Sequence, residues 1–186
     1  ERSDSFAIEV SDKLFLRTDY IDSIYSIIYS CDLREKRDYR YSDLGFYLFK
    51  DIIEGYSGTS LDQYVSNQFY EPLGLQNTMF NPLSKINPDK ILPSEKDDYF
   101  RCCEVRGYVH DMGAAMLGGV CGHAGLFSNS KELAILMQLL LNGGIYNGSK
   151  YLSPQTIRKF TKRYYKSSRR GLGFDMKELD EEKKLN

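Results

Sequence analysis

A phenol, a hydroxyl and a carboxyl group stand side by side at Tyr41, Ser42 and Asp43, directly before an apolar segment. These groups can move protons or accept hydrogen bonds, which makes the tripeptide a candidate for acid–base chemistry. The same residue types also serve as ordinary caps where a helix begins. From the tripeptide alone capping is the favoured interpretation, so a catalytic role needs support from the rest of the chain.

Three stretches of the chain form a pattern with a fixed order and spacing. The first is Y-S-D-L-G-F at 41–46, followed by an apolar helix. The second is F-Y-E-P-L-G-L at 69–75, and the third is G-G-V-C-G-H-A-G-L-F-S at 118–128. Together they resemble the family of serine β-lactamases and penicillin-binding proteins, especially its class C and esterase-like branch. Each stretch alone is weak evidence, but their collinearity within residues 38–175 makes the resemblance fairly specific.

The resemblance implies acyl transfer by a serine nucleophile in an S-x-x-K motif, with the tyrosine of a Y-x-N motif as a second proton-transfer group. Tyr41 matches that tyrosine, and Asp43 stands where the family usually has asparagine. An ionised Asp43 cannot donate hydrogen bonds, and its charge disfavours a phenolate beside it. We therefore expect an esterase- or peptidase-like activity rather than β-lactam hydrolysis. Asp43 and His123 are the candidate substrate-binding residues.

The nucleophile itself is expected outside this chain. The family places it upstream of Y-x-N, so the S-x-x-K outline at Ser128–Lys131 is interpreted as an ordinary helix start. The K-T-G strand motif is expected beyond residue 186, so the similar outline at 123–125 is interpreted as a loop near the site. The chain then corresponds to the middle of such an enzyme and should be inactive by itself.

Hydrophobic periodicity predicts the helices that would position these residues. One helix covers about residues 19–31, and a second begins at Leu44, buries a wide apolar face and stops near Gly55 or Gly58. A basic run at 158–170 carries aromatic residues at helical spacing. We interpret that run as a core face with a solvated basic face rather than as a nucleic-acid surface.

Local capping signals predict further helix starts. Ser60–Gln63 has the pattern of a capping box, Asn129 precedes an apolar helix, and Ser153 precedes a proline at the first turn of another. Residues 74–128 are broken by glycine and proline, so few regular elements are expected there besides a short helix near 111–117. A long irregular stretch of this kind is usually functional or packed against another part of a protein.

The expected fold class is mainly α. Given the resemblance, the chain is the helical region of a β-lactamase-like α+β serine hydrolase that lacks most of the antiparallel sheet. We expect residues 1–186 to form one helical subdomain, with a variable lead-in at 1–37, the family-matching region at 38–175 and a tail at 176–186. An apolar face without its sheet favours self-association.

Composition narrows the classes of partner. The formal net charge of −1 gives no global field that would attract nucleic acid or membranes, and no apolar run is long enough for a membrane span. The four cysteines have no C-x-x-C spacing, which argues against a zinc site. Free thiols are the favoured interpretation, and one disulfide between distant positions is the alternative. No metal or cofactor is predicted.

The segments at 108–111 and 169–174 resemble a subgroup of secreted bacterial members, some of which are fused to a β-N-acetylglucosaminidase-type glycosidase. The resemblance thus implies a periplasmic or secreted location and a small-molecule or peptidoglycan-like substrate. The alternative function is a non-catalytic cell-wall-binding or accessory module attached to such a glycosidase. An intact S-x-x-K upstream would favour the enzyme, and its loss would favour the module. An unrelated helical interaction domain is the third hypothesis.

Overall fold

The computed structural model of the chain describes residues 2–36, 38–166 and 168–177. These residues form α-helices, short 3₁₀ and π-helical turns, and two-stranded antiparallel sheets. The strands are β1 (Ile8–Ser11), β2 (Leu14–Leu16), β3 (Pro93–Asp97), β4 (Cys103–Arg106), β5 (Ile145–Tyr146) and β6 (Ser149–Lys150). The α-helices are α1 (Tyr20–Ser30), α2 (Leu44–Ser57), α3 (Leu61–Val65), α4 (Met112–Met116), α5 (Ser130–Leu141) and α6 (Pro154–Thr161).

The chain divides into two compact units. The first unit contains Glu1–Asp32 and Ser42–Glu132, and the second contains Leu33–Tyr41 and Leu133–Asn186. These limits differ from the predicted divisions after residues 37 and 175, which stay a prediction. The mixed-charge tail at 178–186 lies outside the described residues.

The expectation of a mainly α chain is met only in part. The predicted short helix near 111–117 is present as α4, but the same irregular stretch also contains a hairpin that the sequence did not predict. In that hairpin β3 pairs antiparallel with β4, and the register shifts between Pro93 and Glu95. The described residues therefore combine helices with small sheets, as in part of an α+β domain.

Helix α2 begins and ends where the sequence predicts, and Gly58 closes it in the left-handed conformation at φ 68°. The predicted burial of its wide apolar face is wrong, because α2 has no buried residue. Ile52 is 50% exposed and Tyr56 is 92% exposed. An amphipathic face is buried only where another element lies against it, and the neighbours of α2 leave these side chains accessible to solvent.

The core of the first unit lies beneath β1 and α4. This core is a cluster of buried residues: Ile8, Val10, Val109, Ala114, Ala115 and Cys121. Half-buried side chains pack around them, among them Tyr47 from the first turn of α2 and Phe100 from the loop after β3. Tyr47 thus joins the start of α2 to the core.

The predicted caps have mixed outcomes. Ser60 makes no capping hydrogen bond through its side chain; instead Glu54 of α2 accepts the backbone N–H of Leu61 at 2.8 Å. The capping box is therefore wrong, and the first N–H of α3 is bound by a carboxylate of the preceding helix instead. The caps at Asn129 and Ser153 are confirmed: their side-chain oxygens each accept a backbone N–H three residues later at 2.9 Å.

Helix α6 and the residues after it do not form the predicted core face. Ile157 is half-buried, but Phe160 is 42% exposed and Tyr164 is 47% exposed. All four cysteines are free thiols, and only Cys121 is buried. Within the described part of the chain, no helix has the length and apolar character that crossing a membrane requires.

Candidate active site

Tyr41 lies in the second compact unit with its side chain open to solvent; the residue is 59% exposed. The guanidinium carbon of Arg170 lies 5.3 Å from the centroid of its ring, within the range of a cation–π contact. Arg170 is held there by Asp175 at 3.3 Å, and Arg169 also binds Asp175 through both carboxylate oxygens. Two arginines thus share one carboxylate, and one of them lies against the ring of Tyr41.

Ser42 and Asp43 form the entry to α2. The Ser42 hydroxyl accepts the backbone N–H of Leu44 at 3.3 Å, so this serine does act as a local cap. Asp43 makes no capping hydrogen bond through its side chain, and its backbone carbonyl accepts the N–H of Phe46 at 2.8 Å. The capping interpretation of the tripeptide therefore applies to Ser42 and not to the side chain of Asp43.

His123 lies in a loop, as predicted for the segment that resembles K-T-G in outline. Its Nε2 is 2.8 Å from Oδ1 of Asp111, and its side chain is 4% exposed. The same Asp111 oxygen accepts the backbone N–H of Ala114 at 2.7 Å and so caps α4.

The pair between His123 and Asp111 has shifted pKa values. Burial alone lowers the pKa of His123, but the Cys121 sulfur and the Asp111 carboxylate outweigh it and raise the pKa to about 9. Burial alone raises the pKa of Asp111, yet its hydrogen bonds from Ala114 and His123 lower the value below its ordinary range. The pair is therefore an imidazolium and a carboxylate at neutral pH.

Arg101 supports the segment that leads into this pair. Its side chain is completely buried, and it donates to the carbonyl oxygens of Val109 at 2.6 Å and His110 at 2.5 Å. Its Nε also donates to Asp97 at 2.7 Å. A guanidinium can hold several acceptors in one plane, so Arg101 fixes the backbone immediately before Asp111.

The S-x-x-K outline at the start of α5 is a structural element, as the sequence predicted. The Ser128 hydroxyl lies 2.7 Å from the Thr78 hydroxyl. Glu132, buried in the first turn of α5, accepts hydrogen bonds from the backbone of Gln76 and Asn77 and from the Thr78 hydroxyl. These contacts join residues 76–78 to the helix start, which supports the interpretation of this outline as an ordinary helix entry.

A polar pocket of about 290 Å³ opens elsewhere in the first unit. It is lined by side chains from α3 and the π-helical turn after it, and by residues of 78–85. None of Tyr41, Asp43 and His123 lines it. Among the described residues no group of three histidine, cysteine or acidic side chains is placed to hold a metal ion.

Sequence reasoning missed Asp111, Tyr47 and Arg101 as parts of this arrangement. A local signal existed only for Asp111, which stands in the N-cap position of a predicted helix. The phenol of Tyr47 stacks on the imidazole of His123 with centroids 4.6 Å apart and planes 22° apart. Nothing in the spacing of these residues along the chain indicates that contact.

The chain belongs to the Beta-lactamase family, whose sequence pattern it matches over residues 28–181. Curated relatives from Salmonella paratyphi B and Salmonella newport, provisionally named D-alanyl-D-alanine carboxypeptidase, are each 40% identical to it over 146 residues. The match covers 72% of this chain and 34% of each relative. The chain thus spans about a third of the length of the curated relatives it matches.

Solved structures support the same fold. An octameric penicillin-binding protein homologue from Pyrococcus abyssi superposes with a TM-score of 0.55 at 20% identity, covering 82% of this chain and 30% of that one. A D-amino acid amidase from Ochrobactrum anthropi superposes with a TM-score of 0.54 at 11% identity, covering 85% and 44%. At such identities the likeness concerns the fold alone, and it confirms the resemblance drawn from the three sequence stretches.

Proposed function

We propose that this chain contributes the Y-x-N side of the active site of a serine hydrolase that cleaves an amide or ester. The supporting observation is the exposed phenol of Tyr41, which stands directly before α2 with Arg170 against its ring, in a chain of the Beta-lactamase family. The name of the Salmonella relatives supports a peptide ending in D-alanine as the substrate class.

In this proposal Tyr41 is the proton shuttle. It takes a proton from the attacking serine and then donates a proton to the leaving group, as general acid–base catalysis requires. The positive charge of Arg170 stabilises negative charge that develops on a nearby phenol. The nucleophile and its lysine belong to an S-x-x-K motif outside this chain, so the chain alone is expected to be inactive.

Asp43 and His123 are the proposed substrate-binding residues. Asp43 would accept a hydrogen bond from a donor on the substrate, such as a peptide N–H. The His123 side chain is 4% exposed, so the part of this residue that is open to a ligand is its backbone. An ionised Asp43 in place of the usual asparagine supports peptidase or esterase activity over β-lactam hydrolysis.

The decisive experiment uses the gene product that includes the sequence on both sides of this chain. Replacing Tyr41 by phenylalanine removes the proton-transferring hydroxyl, and we expect kcat for a D-alanyl-D-alanine peptide to fall by roughly 10²- to 10⁴-fold. The matched control is Tyr39→Phe, because Tyr39 also belongs to the second unit and its ring contacts Tyr165. Equal turnover in the wild type and Tyr41→Phe would refute the proposed role.

A second measurement tests the prediction that this chain is inactive. The chain is incubated with nitrocefin, with p-nitrophenyl acetate and with a fluorophosphonate probe, and turnover and labelling are recorded. Labelling at Ser128 would contradict the structural interpretation of the α5 start. The accessory-module alternative would be favoured instead if the flanking sequence lacked S-x-x-K. A periplasmic or secreted location is proposed from the family resemblance alone.

A further inference from the structure

The first turn of α2 fits closely against the segment that carries Asp111 and His123. A Cβ added at Gly113 would lie 1.8 Å from the hydroxyl oxygen of Tyr47, and one at Gly122 would lie 2.9 Å from the carbonyl oxygen of Phe46. Real Cβ atoms essentially never approach that closely, so this packing requires glycine at both positions. Two neighbouring residues of α2 are therefore in contact with two separate parts of the segment.

The imidazole of His123 completes the contact. Its ring stacks on Tyr47, and its Nε2 binds Asp111, whose carboxylate also caps α4. Since the side chain is 4% exposed, these partners rather than solvent set its position. The segment before Asp111 is itself held by the buried side chain of Arg101.

We propose that Asp111 and His123 are positioning residues: their hydrogen-bonded pair holds Tyr47, and through Tyr47 it fixes the helix start at Ser42 and Asp43. Asp43 precedes Tyr47 by four residues, which is about one turn of helix. The inference rests on the proposed function only in treating this helix start as part of an active site. The placement of the helix start itself can be tested without any substrate.

The charge state of the His123 imidazole can be changed by pH, which makes the positioning role measurable. The titratable groups around the pair and the Tyr47 ring are Asp111, Cys121, Tyr47, His110 and Asp43. Nδ1 of His123 is buried with no hydrogen-bond partner among the described residues, and the Cys121 sulfur and the Asp111 carboxylate both raise the pKa of the ring. Burial, followed by the charges of Asp111, Cys121 and Asp43, raises the pKa of Tyr47 to about 12. Tyr47 therefore stays protonated while His123 titrates.

Loss of the proton from His123 should change the environment of the residues at the start of α2. A charged ring binds the Asp111 carboxylate more strongly than a neutral ring does, and it is attracted to the electron-rich face of Tyr47. Because the pKa of His123 is raised to about 9, both interactions are complete at neutral pH and weaken as the pH rises through that value. A small movement of Tyr47 then changes the environment of Ser42 and Asp43.

The test is an NMR titration of the ¹⁵N-labelled chain from pH 6 to pH 10. The chain has two histidines, so His110→Gln is the matched control for His123→Gln. We expect the backbone amide chemical shifts of Ser42, Asp43 and Leu44 to titrate with the same midpoint pH as the His123 ring. That response should persist in His110→Gln and disappear in His123→Gln. In Asp111→Asn the midpoint should fall, because the carboxylate that favours the imidazolium is removed.

The wild-type titration alone can overturn the proposal, even if a variant fails to fold. The positioning role would be refuted if the amide chemical shifts of Ser42 and Asp43 did not change at the midpoint pH of His123. It would also be refuted if the same pH-dependent change were seen in His123→Gln. An unchanged kcat in Tyr41→Phe would refute the proposed function and leave the positioning result standing. The two failures are therefore distinguishable.

Discussion

Asp97 and Arg101 form an ion pair at 2.7 Å in which both side chains are completely buried. Burial alone raises the pKa of Asp97, but the hydrogen bonds from Arg101 and from the backbone of 99–101 hold it well below its usual range. Arg101 also donates hydrogen bonds to the carbonyl oxygens of Val109 and His110. The pair therefore ties the β3–β4 hairpin to the segment that ends at Asp111.

Replacing Arg101 by methionine should strongly destabilise the chain. The change leaves the buried carboxylate of Asp97 without its cation and removes the side-chain donor from the carbonyls of Val109 and His110, which costs more than the packing that methionine regains. We expect the thermal midpoint to fall by roughly 10 °C. Calorimetry or circular dichroism measures this, with Arg17→Gln as the control because the Arg17–Asp19 pair is exposed. Equal losses in both variants would show that burial of the pair is unimportant.

Because Gly113 and Tyr47 lie so close together, we expect the effects of Gly113→Ala and Tyr47→Phe on the free energy of unfolding to be coupled. Alanine in a helix is normally about 1 kcal/mol more favourable than glycine. Gly113→Ala should nevertheless destabilise by about 1–3 kcal/mol, because the new methyl group overlaps the Tyr47 hydroxyl. In a Tyr47→Phe background most of that loss should vanish.

Urea unfolding of the four proteins of this cycle measures the coupling. Gly45→Ala is the control, since an added Cβ there meets nothing within 4 Å, and it should be neutral or stabilising. Additive effects of Gly113→Ala and Tyr47→Phe would mean that the two residues do not touch in solution.

Glu132 predicts a stability that depends on pH. Burial alone raises its pKa, but the hydrogen bonds from Thr78, Asn77 and Gln76 lower it below the ordinary value. An acid with a depressed folded pKa stabilises above its unfolded pKa of about 4.3 and loses that contribution as the pH falls. Glu132→Gln should therefore cost about 2 kcal/mol at pH 7 and progressively less under acid conditions.

Denaturant unfolding at a series of pH values between 7 and 3 tests this. Glu104→Gln is the matched control, because Glu104 forms an exposed pair with Arg106 and surface pairs contribute little. A difference between wild type and Glu132→Gln that stays constant with pH would contradict the assignment.

We propose that the chain associates with itself through the apolar residues on the exposed side of α2. Ile52 is 50% exposed and Tyr56 is 92% exposed on this helix. Exposed apolar patches are typical of interaction surfaces. The double variant Ile52→Lys, Tyr56→Lys should lower the mass measured by light scattering toward that of a monomer. The control is Gln63→Lys, Gln68→Lys, which adds the same charge at exposed polar positions. A wild-type chain that is strictly monomeric would refute the proposal.

Local patterns were sufficient for the helices but not for the contacts between segments. The period of apolar residues predicted α1 and α2, and Asn129 marked the start of α5, because these signals act within one or two helical turns. The β3–β4 hairpin was missed because β3 has the polar sequence P-S-E-K-D. Its pairing depends on backbone hydrogen bonds that leave no apolar alternation in the sequence.

The candidate site shows the same limit. Tyr41 and Asp43 could be selected because they stand together and match a family motif. The binding of His123 to Asp111, twelve residues earlier, depends on how a loop folds back onto α4. The burial of an apolar face also depends on whether another element covers it, which periodicity does not report. That is why α2 was predicted correctly as a helix and wrongly as a buried one.

The Glu132 contacts also bear on the order in which the chain folds. They join residues that are 54 to 56 positions apart, so they form only after a long loop has closed, at a cost in chain entropy. We expect the Glu132 contacts to be incomplete when the folding barrier is crossed. Loss of Glu132 should therefore accelerate unfolding while leaving the folding rate nearly unchanged. The carboxylate would then determine how long the first compact unit survives once formed, rather than how quickly it forms.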